Sequence, residues 1–457
     1  MSTTVPSRDL QGGLILRWAA VADRDRLAEF NAHAFRDEED EAPHAWDRAW
    51  TRELMSGRHP LVNAEDFVLV EDSATGAVVS SACLMWQRWQ YEGIPFEVGR
   101  PEHVATDPNY RNRGLVRATF EALHERSAAR GQPVQAITGI PYFYRQFGYE
   151  YALDLEGGRV VYPATIPPAP TATDETYRLR DATMDDIPFM RELYERDRTS
   201  NAVSAEIPEA YWQYAFASFG TPSAPQGEFN RQWRLRIITE RDGVSCGYVR
   251  TGTMLWGDSF YIWDLATSEG TPLRDAALAT LRALQVARAE VEAANRASGQ
   301  TDARFKQIML CMEREHPLYA ALGDRVAPLV TPPYAWYVRV PDLPQFLQLI
   351  TPVLERRLAA SPMAAYRGEV RIDFYRGGLR LTFEQGRLTA IAPWQRPIWG
   401  DRQQASFPPL VFLQLLFGRR SLAELRDAFP DVRALPEATA LLEALFPKRI
   451  SRIAALD

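Results

Sequence analysis

One stretch of this chain occurs twice, and that repetition limits the folds open to it more than any other feature. Residues 14–30, L-I-L-R-W-A-A-V-A-D-R-D-R-L-A-E-F, have a counterpart at 177–193, Y-R-L-R-D-A-T-M-D-D-I-P-F-M-R-E-L. Both read as a short strand, an acidic helix start and an amphipathic helix. Between the copies, residues 161–176 (V-Y-P-A-T-I-P-P-A-P-T-A-T-D-E-T) are dense in proline and read as an extended linker. A length of 457 residues suggests about three domains of ~150 residues, each large enough to build its own core.

The copies diverge after this shared opening. In the first, V-A-T-D-P-N-Y-R-N-R-G-L-V-R at 104–117 reads as a strand ending in Val104, Ala105 and Thr106 and a turn at Asp107-Pro108-Asn109. A helix opening around Arg113-Gly114 then runs through Val116, Ala118, Phe120, Leu123 and His124 toward Arg130-Gly131. A helix N-terminus offers unpaired backbone N–H groups and partial positive charge. Gly114 removes a side chain where backbone must approach a ligand, and Arg111, Arg113 and Arg117 add guanidinium charge. The expected ligand is an anion, a pyrophosphate above all. From spacing alone the segment is equally an ordinary strand–turn–helix corner with solvated arginines.

The second copy continues with strands at 232–238, 245–251 and 259–266, a hairpin turn at Arg241-Asp242-Gly243, and a helix over 273–294. Trp263-Asp264-Leu265-Ala266 takes the place of the V-A-T strand end, but the S-E-G-T-P-L-R after it lacks R-x-x-G. This copy is expected to keep the scaffold without the anion site. After Pro328–Pro333 a third unit begins, with a helix at 343–358, strands at 368–374, 378–383 and 387–391, then helices at 408–417, 422–428 and 439–446. Strands followed by helices indicate α+β.

Composition excludes several classes. A net charge of −7 argues against general nucleic-acid binding. Cys83, Cys246 and Cys311 form no C-x-x-C pair, which suits a reducing compartment and offers neither a zinc site nor a disulfide framework. The six histidines are scattered without metal-ligand spacing. No apolar signal-peptide core and no run near ~18 apolar residues occurs, so a cytosolic protein is expected. G-x-S-x-G, H-E-x-x-H, Walker A and G-x-G-x-x-G are absent.

Arg111-x-x-Gly114 after a strand ending V-A-T resembles the acetyl-CoA loop of the GNAT N-acetyltransferases. Y-R-N-R-G-L-V-R, followed by F-Y-R-Q-F-G-Y at 143–149, is similar to the Eis-type subgroup, which tolerates an aliphatic residue such as Val116 two positions after the motif glycine. The resemblance implies α/β and α+β architecture: two tandem GNAT (acyl-CoA N-acyltransferase) domains, 1–162 catalytic and 175–340 degenerate, then a sterol-carrier-protein-like (SCP2-like) α+β domain, 341–457. It implies that backbone of Val104, Ala105 and Thr106 pairs with the pantetheine arm. Arg111, Asn112, Arg113, Gly114, Leu115, Val116 and Arg117 would hold the pyrophosphate, and Gly139 and Ile140 would flank the thioester. Hexamers occur in the subgroup, so a homo-oligomer is expected by resemblance alone.

Acetyl transfer to an amine asks for a group that removes the amine's proton and one that protonates the thiolate. A free alkyl amine has a pKa near ~10 and a thiol near ~8.5. The resemblance assigns the acid to Tyr144, while Tyr142 and Tyr149 read as aromatic packing. It assigns the base to the chain's own C-terminal carboxylate, here that of Asp457, although an aromatic terminal residue is usual there. Glu102 and His103, before the V-A-T strand end, are internal alternatives, or a solvent-exposed strand-edge pair. With no cysteine near the motifs to carry the acetyl group, direct attack through a tetrahedral intermediate is expected, and no metal. The acidic run Asp37-Glu38-Glu39-Asp40-Glu41 would attract a cationic acceptor or simply be a solvated loop. Trp86, Trp89 and Tyr91 would wall an acceptor pocket or pack in the sheet. The function expected is N-acetylation of a primary amine such as an aminoglycoside, polyamine or lysine. The alternative is an acyl-CoA or lipid sensor dominated by the SCP-like unit.

Overall fold

The computed structural model describes residues 7–36, 42–169, 175–218, 233–297, 302–399 and 402–456. The first part of the chain gives β1 (Arg8–Leu10), β2 (Leu14–Trp18), α1 (Arg24–Ala34), α2 (Ala45–Leu54), β3 (Phe67–Asp72), β4 (Val78–Tyr91), β5 (Ile94–Thr106), α3 (Leu115–Ala129), β6 (Val134–Ile137), β7 (Glu150–Leu155) and β8 (Gly158–Val161). The middle gives β9 (Tyr177–Asp181), α4 (Ile187–Arg198), β10 (Val203–Ala205), α5 (Glu209–Ser218), β11 (Trp233–Glu240), β12 (Ser245–Gly252), β13 (Ser259–Thr267), α6 (Leu273–Val286), α7 (Arg288–Ala297), β14 (Gln307–Leu310), α8 (Pro317–Leu322), β15 (Leu329–Thr331) and β16 (Tyr334–Arg339). The last part gives α9 (Leu343–Leu349), α10 (Thr351–Ala359), β17 (Gly368–Asp373), β18 (Gly378–Glu384), β19 (Arg387–Pro393), β20 (Ala405–Ser406), α11 (Phe412–Leu416), α12 (Leu422–Ala428), β21 (Arg433–Ala434) and α13 (Pro436–Leu445).

The repeat is visible in the sheets. The first runs β1-β2-β3-β4-β5-β6-β16-β7, with β10 added on β4; the second runs β15-β8-β14-β13-β12-β11-β9. Read from β2 and from β9, the two share one order, and each has a parallel pair at the same place in it, β5 with β6 and β13 with β14. The opening strand–helix of each copy is tied by the same two-pronged ion pair. Arg17 donates to both oxygens of Asp23 at 2.8 Å, and Arg180 to both of Asp186 at 2.6 and 2.7 Å. In each case the carboxylate also caps the backbone before the helix.

Hydrogen bonding crosses the sequence boundaries expected near 162 and 340. β8 pairs with β14 and β15 in the second sheet, while β16 sits between β6 and β7 in the first. The junctions explain why. Only two residues link β7 to β8, and Pro332-Pro333 link β15 to β16, where proline supplies no N–H for a tight hairpin. The crossing segments touch: a Cβ on Gly157, whose φ is +84°, would lie 2.7 Å from the Pro333 nitrogen. Only glycine fits both that conformation and that contact.

Two expected helices are broken. The one over 273–294 ends at Val286 and restarts at Arg288; the one over 343–358 breaks at Ile350, with Pro352 in the first turn of α10. The third sheet runs β19-β18-β17-β20-β21. Its helices share one core with the first sheet, in which Trp89, Tyr91 and Phe96 meet Phe346, Leu354 and Leu416. Tyr91 donates to the Leu416 carbonyl at 2.6 Å, and Glu92 receives Arg357 at 2.7 Å and Arg356 at 3.0 Å. Trp89 and Tyr91 therefore fasten the third unit rather than wall an acceptor pocket.

Candidate active site

β5 and β6 are in register only at Val98–Val134 and Gly99–Gln135. Beyond that point β5 continues to Thr106 while β6 ends at Ile137, leaving a wedge whose β5 edge has no ladder partner from Arg100 onward. Such an edge presents backbone donors and acceptors to an extended ligand. On its other side β5 pairs with β4, and the register shifts between Ser81 and Cys83, so β5 carries one extra residue there. His103 takes the strain, with φ of +53°.

The wedge opens toward the start of α3. Asp107 caps its own turn by accepting from the Asn109 N–H at 2.8 Å. Asn112 and Gly114 both have positive φ, +62° and +76°. Gly114 is the N-cap of α3, and nothing lies within 4 Å of a notional Cβ there, so glycine is required for conformation rather than space. Arg111, Arg113 and Arg117 are exposed, and among the described residues none forms an ion pair. Arg113 lies over the Tyr110 ring and Arg117 over Phe147. Arg113, Gly114, Leu115 and Arg117 line a cavity of about 560 Å³ together with Gly12 and the Arg8–Glu121 ion pair. Three unneutralised guanidinium groups around a helix N-terminus favour an anion.

The other wall of the wedge is aromatic. Residues 143–147 form a short 3₁₀ turn that buries Tyr144 to 4% exposure among Phe120, Ile137, Tyr149 and Tyr337. Its hydroxyl lies 3.9 Å from a notional Cβ on Gly139. Burial, and then the charge of Glu102, push the Tyr144 phenol above its ordinary range, so it stays protonated at neutral pH. Tyr149, expected as packing, is fully buried and meets His124 Nε2 at 2.9 Å. Tyr142, also expected to pack, is instead 68% exposed.

His103 is no exposed edge residue: it is 2% exposed, with Nδ1 3.1 Å from Asn31 Nδ2 and its ring against Trp50. Burial lowers its pKa to about 3, which leaves it neutral and a weak base. Cys83, remote from the motifs in sequence, stands directly opposite Glu102 on β4. It is fully buried, and burial raises the thiol well above its ordinary range. Distance in sequence does not keep a thiol from the site; burial keeps this one inert.

Three tyrosines that sequence reasoning did not single out hold the Gly139-Ile140 turn. Tyr334 donates to the Gly139 carbonyl at 2.9 Å and Tyr337 to the Ile140 carbonyl at 3.0 Å. Both hydroxyls also meet Tyr151 Oη, at 3.0 and 2.7 Å. Residues three apart on a strand normally face opposite ways, but the register shift between Trp336 and Tyr337 turns both to one side. The Y-A-W-Y run after two prolines was the available signal. Of its expected trio, Trp86 lines a cavity with Leu61, Arg88, Arg198, Glu206 and Leu456. The acidic run 37–41 and Asp457 lie outside the described residues.

Among the described residues no cluster of three His, Cys, Asp or Glu side chains could hold a metal, and no helix is long and apolar enough to cross a membrane. Residues 16–152 match the sequence profile of the acetyltransferase (GNAT) domain family and so carry such a domain. No curated protein matches the chain. The fold is similar to that of a GCN5-related N-acetyltransferase from Anabaena variabilis (13% identity, 96% of this chain and 99% of that one, TM-score 0.64). It is also similar to a GCN5-related N-acetyltransferase from Kribbella flavida (19%, 97% and 98%, 0.61) and to Eis1 from Mycobacterium abscessus (16%, 96% and 99%, 0.56). At these identities the likeness speaks for fold along nearly the whole chain.

Proposed function

We propose that this chain is an acetyl-CoA-dependent N-acetyltransferase that moves the acetyl group directly to a primary amine, with the first unit doing the chemistry. The observation that carries this reading is the wedge between β5 and β6, which joins an unladdered strand edge, a helix N-terminus with three unpaired arginines, and a buried tyrosine hydroxyl. Val104, Ala105 and Thr106 present backbone to the pantetheine arm. Residues 111–117 hold the pyrophosphate, and Gly139 and Ile140 flank the thioester. Because no thiolate is available, the amine attacks the thioester carbon itself. The C–N bond forms first, giving a tetrahedral intermediate; its collapse breaks the C–S bond, and the departing thiolate sulfur accepts a hydrogen bond from Tyr144.

A phenol whose pKa is raised gives up its proton reluctantly, so Tyr144 stabilises charge on sulfur chiefly as a donor. The proton lost by the amine goes to a carboxylate, that of the chain end at Asp457 or of Glu102. Burial of Leu456 against Leu61, beside Trp86, supports the first. The cavity there carries arginine as well as glutamate, which leaves the acceptor open among aminoglycosides, polyamines, lysines and small amines. The strand-then-helix order of the third unit supports the sterol-carrier-like reading, and a homo-oligomer follows from the resemblance to the Eis group. Release of CoA from acetyl-CoA, measured over a panel of amines, tests the proposal. Saturable CoA binding with no release across the panel would return the chain to the sensor reading.

A further inference from the structure

The second copy keeps the plan of the first, yet the place of its wedge is filled by a side chain from the far end of the protein. β13 and β14 pair in parallel from Ser259–Gln307 to Ile262–Leu310. Just beyond, the β12–β13 register shifts between Arg250 and Thr251 and leaves Trp263 as the extra residue. The first sheet has its bulge at the same place in the plan. At this point Asp264, 5% exposed, accepts from the Arg452 guanidinium and, at 2.6 Å, from the Tyr248 hydroxyl. Glu313, three residues past β14, approaches Arg452 Nε at 3.6 Å. Arg452 itself is 9% exposed.

The backbone around Arg452 is equally committed. Its N–H donates to Val203 at 2.8 Å, while the N–H groups of Ala202 and Ala205 donate to Ile450 and Arg452. β10 is in turn paired with the Trp89–Tyr91 end of β4. Residues beyond Arg452 then pack between the first and second units, where Leu456 is 1% exposed among Leu61 and the α5 residues Tyr211 and Tyr214. A buried ion pair is a poor source of net stability, but removing the guanidinium would upset the charge balance at Asp264, which also faces Arg250, and at Glu313, so the pair favours one register. An apolar residue at 452 would hold the segment down without saying where.

We propose that the second unit is a socket for the carboxyl-terminal segment, with Arg452 as the plug and Asp264, Glu313 and Tyr248 as its walls, so that docking there sets where residues 453–456 lie beside Trp86. The occupant is this chain's own tail. The second copy thereby has a task in place of donor binding, its wedge closed by a guanidinium. Only a kinetic readout rests on the transferase reading; the docking itself does not.

The test uses the full-length protein and native-state hydrogen exchange. In Arg452→Met, the amides of residues 202, 205 and 452 should exchange faster by about tenfold or more, while those of β13, β14 and the β4–β5 ladder keep their protection. If that variant loses protection throughout the second sheet, Asp264→Asn, which keeps size and the Tyr248 contact, takes its place with the same expectation. With an amine that supports turnover, kcat should fall and the KM for acetyl-CoA stay unchanged, and Arg452→Lys should recover part of the loss. Wild-type protection of the three amides in both variants would overturn the proposal. Absence of acetyl transfer in the wild type would instead overturn the functional reading and leave the exchange result to stand on its own.

Discussion

The hydroxyls of Tyr151 and Tyr337 meet at 2.7 Å across β7 and β16, strands that lie far apart in sequence. Tyr337 also reaches the Ile140 carbonyl, so the half of the chain without an anion loop helps hold the turn proposed to flank the thioester. Tyr337→Phe keeps the ring in its pocket and removes both bonds. The groups left without their partner are part-buried, so the net loss is about 0.5–1.5 kcal/mol. The variant should lose stability on that scale in urea unfolding, and kcat should drop more than the KM for acetyl-CoA. Unchanged kcat in a folded Tyr337→Phe protein would show that the turn needs no such clamp.

Tyr144→Phe separates packing from chemistry. The ring stays between Phe120 and Tyr337, and the lost hydroxyl has no hydrogen-bonding partner among the protein groups described, so stability should change little. If the hydroxyl stabilises sulfur as it leaves, turnover should fall by about 10²-fold or more. CoA affinity, measured by calorimetry, should stay within a factor of about two, since positioning groups elsewhere supply the binding. Equal turnover in the two proteins removes Tyr144 from the mechanism.

What could be read from the chain was what is local. The stretch from Val104 to Arg117 announces its strand end, turn and helix by residue type alone, and all three are present, whereas the left-handed conformation that requires Gly114 was not read from it. The repeat was legible for the same reason. Pairing partners were not, because a strand's neighbour leaves no mark on its own sequence. Hence the exchange of β8 and β16, the approach of Cys83 to Glu102, and Arg452 beside Asp264 appear only in three dimensions. His103 looked exposed because period-two alternation is broken at the bulge that turns it inward. Trp89 and Tyr91 face a third unit whose docking side no local pattern records.

His103 gives a pH prediction with a definite sign. Its imidazole is held down to about 3 by burial, against about 6.5 for an exposed histidine. Below the unfolded value the unfolded chain binds a proton that the folded one refuses, so stability contributed by neutral His103 is full above about 6.5 and declines as pH falls toward 3. The ring resonances of His103 should stay fixed between pH 5 and 8, and His103→Gln should lessen the acid-side fall in Tm. An acid limb in kcat that persists in this variant belongs to another group. An imidazole titrating near 6.5 would place His103 in contact with water and reopen it as a base.

The anion loop separates shape from charge. At Gly114 a methyl group meets no atom, but a φ of +76° costs an L-residue roughly 1 kcal/mol. Gly114→Ala should therefore lower Tm slightly and weaken CoA through displacement of the α3 N-terminus, with little change in salt dependence. Arg117→Ala leaves the backbone alone and removes one of three unpaired charges, so its CoA affinity should fall and its dependence on ionic strength flatten. Affinity measured for both proteins at low and moderate salt distinguishes the two contributions. If Arg117→Ala binds CoA as the parent does at each salt concentration, the pyrophosphate is held by backbone and the remaining arginines, and the charge at 117 belongs to solvent.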